Sequence, residues 1–291
     1  MNLPSEKNPA FSVIIPTCAR PEFLRQCLNR LKPGFQKLGY QFYEVIVSDD
    51  RPETVIHEMM TTDYSWVRYV TGPARGPAAN RNNGAALAKG DWIVFLDDDC
   101  LPQAQLLQVY YEQILQDSKS MVLEGSISPA GIRNRIDEDA PINEYGGCLW
   151  SCNFCIKKDL FITLRGFDEV FPIAAMEDVD LRYRLKQQGA TILFLPKAQV
   201  LHPYVSNRGG DYIRTRVQSI DYFYRKHGLL VQISPSGFLK NYLRKLYRSI
   251  IIHGWSFRFK GAIRLILLET LFLYESLRQY FRPIFIENKK A

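Results

Sequence analysis

The chain reads as an α/β protein, a mostly parallel twisted sheet flanked by helices, with a helical C-terminal extension. Two observations predict this. Short apolar, β-branched runs alternate with stretches of helical period over most of the chain, which is the pattern of βαβ units. The formal net charge of +7 is also unevenly placed: residues 236–291 hold eleven Lys/Arg against three Glu, a local +8, so the preceding 235 residues sum to −1. A body of residues 1–235 and a basic helical tail of residues 236–291 are therefore expected as separate domains.

The elements follow in order. Residues 11–15 are a short apolar strand. Pro21 opens a helix whose Phe23, Leu24, Cys27, Leu28 and Leu31 recur at helical spacing, and Pro33-Gly34 stops it. Residues 43–47 form a second strand, ending in Ser48-Asp49-Asp50, and residues 66–70 a third. Residues 77–89 look helical, with Gly90 as the stop. Residues 92–96 are a fourth strand, 105–116 an amphipathic helix and 121–123 a short strand. Residues 128–150 are rich in Gly, Pro, Asn and charge and read as loop. Residues 178–188 make a helix ended by Gly189, residues 191–195 and 199–201 are strand-like, and helical signals dominate beyond Tyr212.

The composition, 46% hydrophobic and 23% charged, is that of an ordinary globular protein. Six cysteines in 291 residues do not make a disulfide framework, so reduced thiols in a cytosolic protein are expected. Cys148, Cys152 and Cys155 lie close together, but no second Cys/His pair stands at zinc-binding spacing. Residues 1–9 are polar and carry no basic-then-apolar targeting pattern.

The chemistry starts at Trp92-Ile93-Val94-Phe95-Leu96-Asp97-Asp98-Asp99. Three carboxylates at the carboxyl end of a buried strand repel one another unless a cation sits among them. That end of an open α/β sheet is where ligands bind, and carboxylate oxygens suit magnesium or manganese. The run therefore predicts a metal ion holding a phosphorylated ligand. Asp49-Asp50 and Glu177-Asp178 are two further acidic clusters; each, taken alone, also reads as a turn or a helix cap.

Taken together the motifs are more specific. Ser12-Val13-Ile14-Ile15-Pro16-Thr17, Val45-Ile46-Val47-Ser48-Asp49-Asp50, the stretch from Gly76 through Asn80-Arg81-Asn82-Asn83 to Gly84, Phe95-Leu96-Asp97-Asp98-Asp99, Arg165-Gly166-Phe167-Asp168-Glu169, the stretch from Glu177-Asp178 to Leu185, and Val200-Leu201-His202 follow one another in this order. In order and spacing they resemble the family 2 glycosyltransferases of GT-A fold, a Rossmann-like architecture, from about Phe11 to about His227. The resemblance implies an inverting transfer of a sugar from a nucleotide-diphosphate donor to a hydroxyl of a glycan or lipid-linked acceptor, assisted by Mn2+ or Mg2+. It implies that Thr17, Arg20 and Asp49 or Asp50 hold the nucleotide base, and that Arg81 lies near the base or diphosphate. Asp97 then binds the ribose, Asp98 is the spacer of the donor-binding run, and Asp99 is the metal ligand. His202 is a second metal or diphosphate ligand, and Asp178 the catalytic base. Asn207-Arg208-Gly209-Gly210 is a candidate lid. Trp150 and Asn153 are candidates for the acceptor side, with core packing the alternative. Three places depart from the family pattern: Cys18 stands where relatives often carry an aromatic residue, Arg51-Pro52 follows Asp49-Asp50, and Arg165 precedes Gly166.

Two other functions compete. A sugar-phosphate nucleotidyltransferase needs a Gly-rich, cationic loop after the first strand, and Pro16-Thr17-Cys18-Ala19 lacks it. A non-catalytic, membrane-bound nucleotide-sugar-binding module would not require Asp178 beside Asp97 and Asp99. In the tail, Arg258, Lys260, Arg264, Glu269 and Glu275 interrupt the apolar residues, so no run reaches the ~18 residues a spanning helix needs. A cationic amphipathic tail suits a membrane interface, and packing on the body or on another subunit is the alternative. The expected location is cytoplasmic, peripheral at the inner face of the cell membrane. Nucleic acid is not an expected partner, because the basic residues are interleaved with dense aliphatic ones.

Overall fold

The computed structural model describes residues 9–51, 54–117, 119–206, 209–230 and 234–287. The chain divides into two compact units: Met1–Ala130 with Pro141–Pro203, and Gly131–Ala140 with Tyr204–Ala291.

The first unit holds strands β1 (Phe11–Thr17), β2 (Tyr43–Asp49), β3 (Arg68–Thr71), β4 (Trp92–Phe95), β5 (Leu101–Pro102) and β6 (Val122–Ala130). After β7 (Glu138–Asp139), which belongs to the second unit, it adds β8 (Phe154–Lys157) and β9 (Ile192–Pro203). Its helices are α1 (Pro21–Asn29), α2 (Thr54–Thr62), α3 (Pro77–Ala86), α4 (Leu106–Gln116), α5 (Lys158–Thr163) and α6 (Glu177–Gln187). One sheet of eight strands runs β3-β2-β1-β4-β8-β6-β9-β5. β3, β2, β1 and β4 are mutually parallel, whereas β8 is antiparallel to both β4 and β6, so the sheet is mixed.

Both faces of this sheet are covered, which is why β4 is apolar throughout and β1 is apolar but for the buried Ser12 and Thr17. Phe11, Val13 and Ile15 of β1 point into one layer with Leu24 and Leu28 of α1 and Tyr110 of α4. Ile14, Ile46, Ile93 and Phe95 point into the other with Leu160 of α5 and Leu181 of α6. The Phe95 ring stands 5.1 Å from the rings of Phe154, Phe161 and Phe167, and this packing fixes the end of β4.

The elements differ from the expected ones where a residue breaks the apolar pattern without breaking the ladder. β1 runs on through Pro16, which lies beyond the last pairing with β4, Ile14 with Phe95. β6 continues past Leu123 through Glu124 and Gly125 into the stretch expected as loop, because Glu124 is satisfied inside the fold. The two strand-like segments after α6 are one strand, β9, with a register shift where Ser126 of β6 pairs with Gln199. His202 is therefore inside a strand and not after one.

The second unit contains β7 paired with β10 (Val205–Ser206), and helices α7 (Gly210–Lys226), α8 (Pro235–Leu246) and α9 (Ala262–Glu287). Its boundary falls at Tyr204 and not at the expected residue 236. The charge step at residue 236 marks where basic residues accumulate, but α7 packs on α9 and so groups with the C-terminal helices. Among the described residues no helix is long and apolar enough to cross a membrane.

Candidate active site

The parallel half of the sheet decides where the site forms. The chain leaves β1 toward β2 on one side and returns to β4 on the other, so the connections after β1 and β4 run to opposite sides, the place where open α/β sheets bind ligands. Thr17 ends β1, Asp49 ends β2 and pairs in register with Thr17, and Asp97 to Asp99 follow β4. α3 is stapled to this edge: Asn80 Nδ2 donates to Thr17 O at 3.1 Å and Ser48 O at 2.9 Å. Gly72 is required beside it, since a Cβ there would stand 2.4 Å from Asp50 Oδ1 and 2.5 Å from Asn80 Oδ1.

Two clusters of charge result. In the first, Asp98 is fully buried and turned inward; Thr17 Oγ1 donates to its Oδ2 at 2.7 Å and Arg20 Nε to the same oxygen at 3.1 Å. Arg20 also donates through Nη1 to Asp99 Oδ2 at 3.0 Å. His202 Nε2 lies 3.2 Å from Asp99 Oδ1. Burial pushes Asp98 up to about 7 against the pull of Arg20. Burial opposes ionisation of Asp99 too, but His202 and Arg20 more than offset it and hold the group at about 2. His202 is raised: burial opposes its charge, and Asp99 more than compensates.

In the second cluster Arg81, 1% exposed, reaches from α3 to Asp97 Oδ1 at 2.6 Å and Glu177 Oε1 at 2.9 Å, with its guanidinium over the Phe167 ring. Glu177 and Asp178 open α6, whose preceding residue Met176 adopts a left-handed conformation with φ of 79°. That conformation is costly for a residue with a Cβ and aims both carboxylates at the site edge. Burial and the neighbouring Asp178 raise Glu177 to about 8 despite Arg81. Burial likewise raises Asp178, with Arg81 pulling the other way. One guanidinium thus faces three carboxylates, and the cluster keeps a proton where isolated acids would not. Asp178 accepts from Val179 N at 2.7 Å through Oδ1, while its Oδ2 has only a long contact of 3.4 Å from Ser151 N.

The other predicted residues are distributed as follows. Asp49 is fully buried, accepting from Tyr69 Oη at 2.9 Å and Arg51 N at 3.0 Å. Asp50 accepts from Ala74 N and Gly76 N and so holds the loop before α3. Asn153 is not on an acceptor surface: it is fully buried, bonded to Ser126 O, Ala198 O and Tyr110 Oη. Trp150 is half-buried against the first core layer. Asn207 and Arg208 of the expected lid lie outside the described residues.

Three residues matter that the sequence did not single out as site residues. Glu177 partners Arg81, Asn80 fastens α3, and Glu124 accepts from Asn143 Nδ2, Gly147 N, Cys148 N and Leu149 N, which shapes the loop ahead of Trp150. Glu177 was visible as half of the Glu177-Asp178 cluster, and Glu124 as a glutamate directly after the apolar Val122-Leu123.

Among the described residues, Asp99, Cys100 and His202 form the group that could hold a metal ion. His202 Nδ1 faces Pro203 O at 2.9 Å, so that nitrogen carries a proton, and Nε2 faces Asp99 Oδ1, where it holds either a proton or a metal ion. Two acceptors at 3.2 Å need a proton or a cation between them. A carboxylate oxygen with an imidazole nitrogen suits manganese or a similar divalent ion. The Cys100 thiol is buried, raised well above its ordinary value by that burial, and directed at Cys152 O, so it does not fit as a ligand.

A mixed α/β sheet with acidic clusters beyond β4 and at the start of α6 is the GT-A arrangement of the glycosyltransferases. Residues 12–141 match the model of glycosyl transferase family 2, and the chain carries a domain of that family there. It is 26% identical over 244 residues to the O-antigen biosynthesis protein RfbC of Myxococcus xanthus, an alignment covering 72% of this chain and 18% of that protein. It is 30% identical over 197 residues to an uncharacterized glycosyltransferase of Haemophilus influenzae, covering 61% of this chain and 62% of the relative. The chain thus spans less than two thirds of the length of either. Mannosyltransferase PcManGT from Pyrobaculum calidifontis, solved with GDP-Man and Mn2+, superposes with a TM-score of 0.58 over 96% of this chain and 89% of its own, at 14% identity, a likeness of fold.

Proposed function

We propose that the chain transfers a sugar from a nucleoside-diphosphate sugar to a hydroxyl of a glycan or lipid-linked acceptor, with inversion at the anomeric carbon. The observation that carries this is the pair Asp99 Oδ1 and His202 Nε2, 3.2 Å apart at the carboxyl edge of the sheet. Asp99 and His202 would hold a divalent ion, Mn2+ or Mg2+, whose chemistry is to neutralise charge on the departing diphosphate. Arg20, 37% exposed at its side chain and anchored on Asp98 and Asp99, adds a fixed cation beside that diphosphate. Asp97, on the exposed side of Arg81, takes the ribose. Thr17, Asp49, Asp50 and Asp98 form the floor against which the nucleotide base lies, each held by hydrogen bonds within the fold.

Asp178 accepts the acceptor's proton. As the acceptor oxygen bonds to the anomeric carbon, the bond to the diphosphate oxygen breaks and the proton moves to Asp178 Oδ2. That oxygen suits the role because it has only the weak Ser151 N contact, and its raised affinity for protons strengthens it as a base. One base and one leaving-group site are what a single displacement needs.

We further place the protein at the cytoplasmic face of a membrane, held there through its basic tail. Supporting this, Trp255, Ile263 and Leu267 are 80%, 77% and 64% exposed beside Arg258, Lys260 and Arg264. The test is a panel of nucleotide sugars scored by thermal stabilisation with and without Mn2+: one donor should stabilise the protein only with the ion. Stabilisation by none, or equal stabilisation without metal, would overturn the reading.

A further inference from the structure

The second unit contains two cavities that meet at one residue. The first, about 530 Å³, lies among α7, α8 and α9; Val217, Leu230, Phe238, Phe272 and Tyr280 give it an apolar side, and Asp221 with its hydrogen-bond donors Arg225 and Gln279 a polar one. The second, about 420 Å³, is bordered by Arg133, Arg244, Lys245, Arg248 and His253. Asn241 of α8 lines both.

The cations of the second cavity are not equivalent. Lys245 is paired with Glu269 at 2.6 Å, and Arg133 donates to Arg135 O and Ile136 O. Arg244 and Arg248 have no ion pair or side-chain hydrogen bond among the described residues. They stand four residues apart on one helical run, where like charges repel. Glu138 and Asp139 also border the cavity, but Glu138 Oε2 accepts from Asn134 N and Arg135 N, and Asp139 Oδ1 from Ala140 N. Two unpaired guanidiniums at the mouth of a polar cavity, with His253 beside them, match an oxyanion with several acceptor oxygens.

The same run carries an apolar ridge one residue away. Leu239, Leu243, Tyr247 and Ile251 recur every four residues and are 48%, 55%, 58% and 64% exposed. A charged head beside hydrocarbon is the chemistry of an amphiphile. We propose that this unit binds a lipid bearing a phosphate head, with the phosphate between Arg244, Arg248 and His253, the hydrocarbon in the cavity lined by Phe238 and Tyr280, and Asn241 at the junction. The site goes beyond sugar transfer and stands without it, since nucleotide and metal binding in the first unit are read separately.

The test uses the full chain and short-chain probes that stay monomeric. Dihexanoyl phosphatidic acid should bind at least about tenfold tighter than inorganic phosphate or dihexanoylglycerol, which each carry one half of it. Arg244→Gln with Arg248→Gln should weaken phosphatidic acid about tenfold or more and leave Mn2+-dependent nucleotide stabilisation unchanged. Ser276→Phe, which fills the first cavity, should weaken the lipid but not inorganic phosphate. Inorganic phosphate binding as tightly as the lipid would make this a free-phosphate site and overturn the proposal. So would dihexanoylglycerol binding as tightly, or a double variant that binds like the parent. A chain that binds none of the probes but forms a dimer broken by the double variant would assign the cations to a protein contact and also overturn it.

Discussion

The two acidic clusters of the first unit use similar residues in opposite ways. Beyond β4, Asp98 and Asp99 face two cationic groups, Arg20 and His202, and Asp99 is held ionised, at about 2. At the start of α6, Glu177 and Asp178 share the single Arg81 with Asp97, and both retain protons more strongly than free acids. At Asp99 two cationic partners outweigh burial and hold the charge, whereas at Glu177, Asp178 and the enclosed Asp98 burial wins and the proton is retained. A ligand-binding anion needs to stay charged across the working pH, whereas a base needs appreciable proton affinity.

This contrast can be broken at several points. The largest effect is expected from Asp99→Asn, which should abolish metal-dependent turnover and Mn2+-dependent stabilisation together; a variant that keeps the metal response would dissolve the first cluster's role. Asp178→Asn should lower kcat by about 10²–10⁴-fold with donor binding nearly intact. The parent's rate should also rise with pH above the ordinary aspartate range, as the raised Asp178 ionises. Equal losses of rate and donor binding would instead make Asp178 a helix cap. Phe95→Ala removes the ring packed among Phe154, Phe161 and Phe167 and should cost about 3–5 kcal/mol in chemical denaturation. Asn80→Ala leaves Thr17 O and Ser48 O without their donor and should cost about 1–3 kcal/mol.

The smallest effect is a slope. Glu177 binds its proton more tightly folded, at about 8, than at its ordinary value of 4.5. Its contribution to stability is therefore full below about pH 4.5 and is lost as pH rises toward 8. Glu177→Gln should remove this component, so melting temperatures of parent and variant should diverge between pH 5 and pH 8, in the variant's favour as pH rises. Parallel curves would place the retained proton elsewhere in the cluster.

Legibility followed locality. β1, β2 and β4 were visible because a strand buried on both faces is a nearly continuous apolar run, interrupted here only by Ser12 and Glu44 before the polar strand ends. The extension of β6 through Glu124 was not, since nothing local shows that Asn143, Gly147, Cys148 and Leu149 supply donors to that carboxylate. Asn153 stood open between the acceptor side and core packing, because the three partners that place it in the core lie far from it in sequence. The charge step and the packing division fall at different places for a related reason: charge changes at residue 236, whereas α7 groups with α9 by packing.

By itself the sequence determined the α/β class, the family motifs and the carboxylates placed after strands, because apolar periodicity and an acid at a strand end are local properties. Only the tertiary structure decided which carboxylate meets which cation. Asp97 and Asp98 are neighbours in the chain, yet one is held by Arg81 of α3 and the other by Arg20 ahead of α1. Charge state depends on burial and on groups brought together across the sheet, and neither is written in the order of residues.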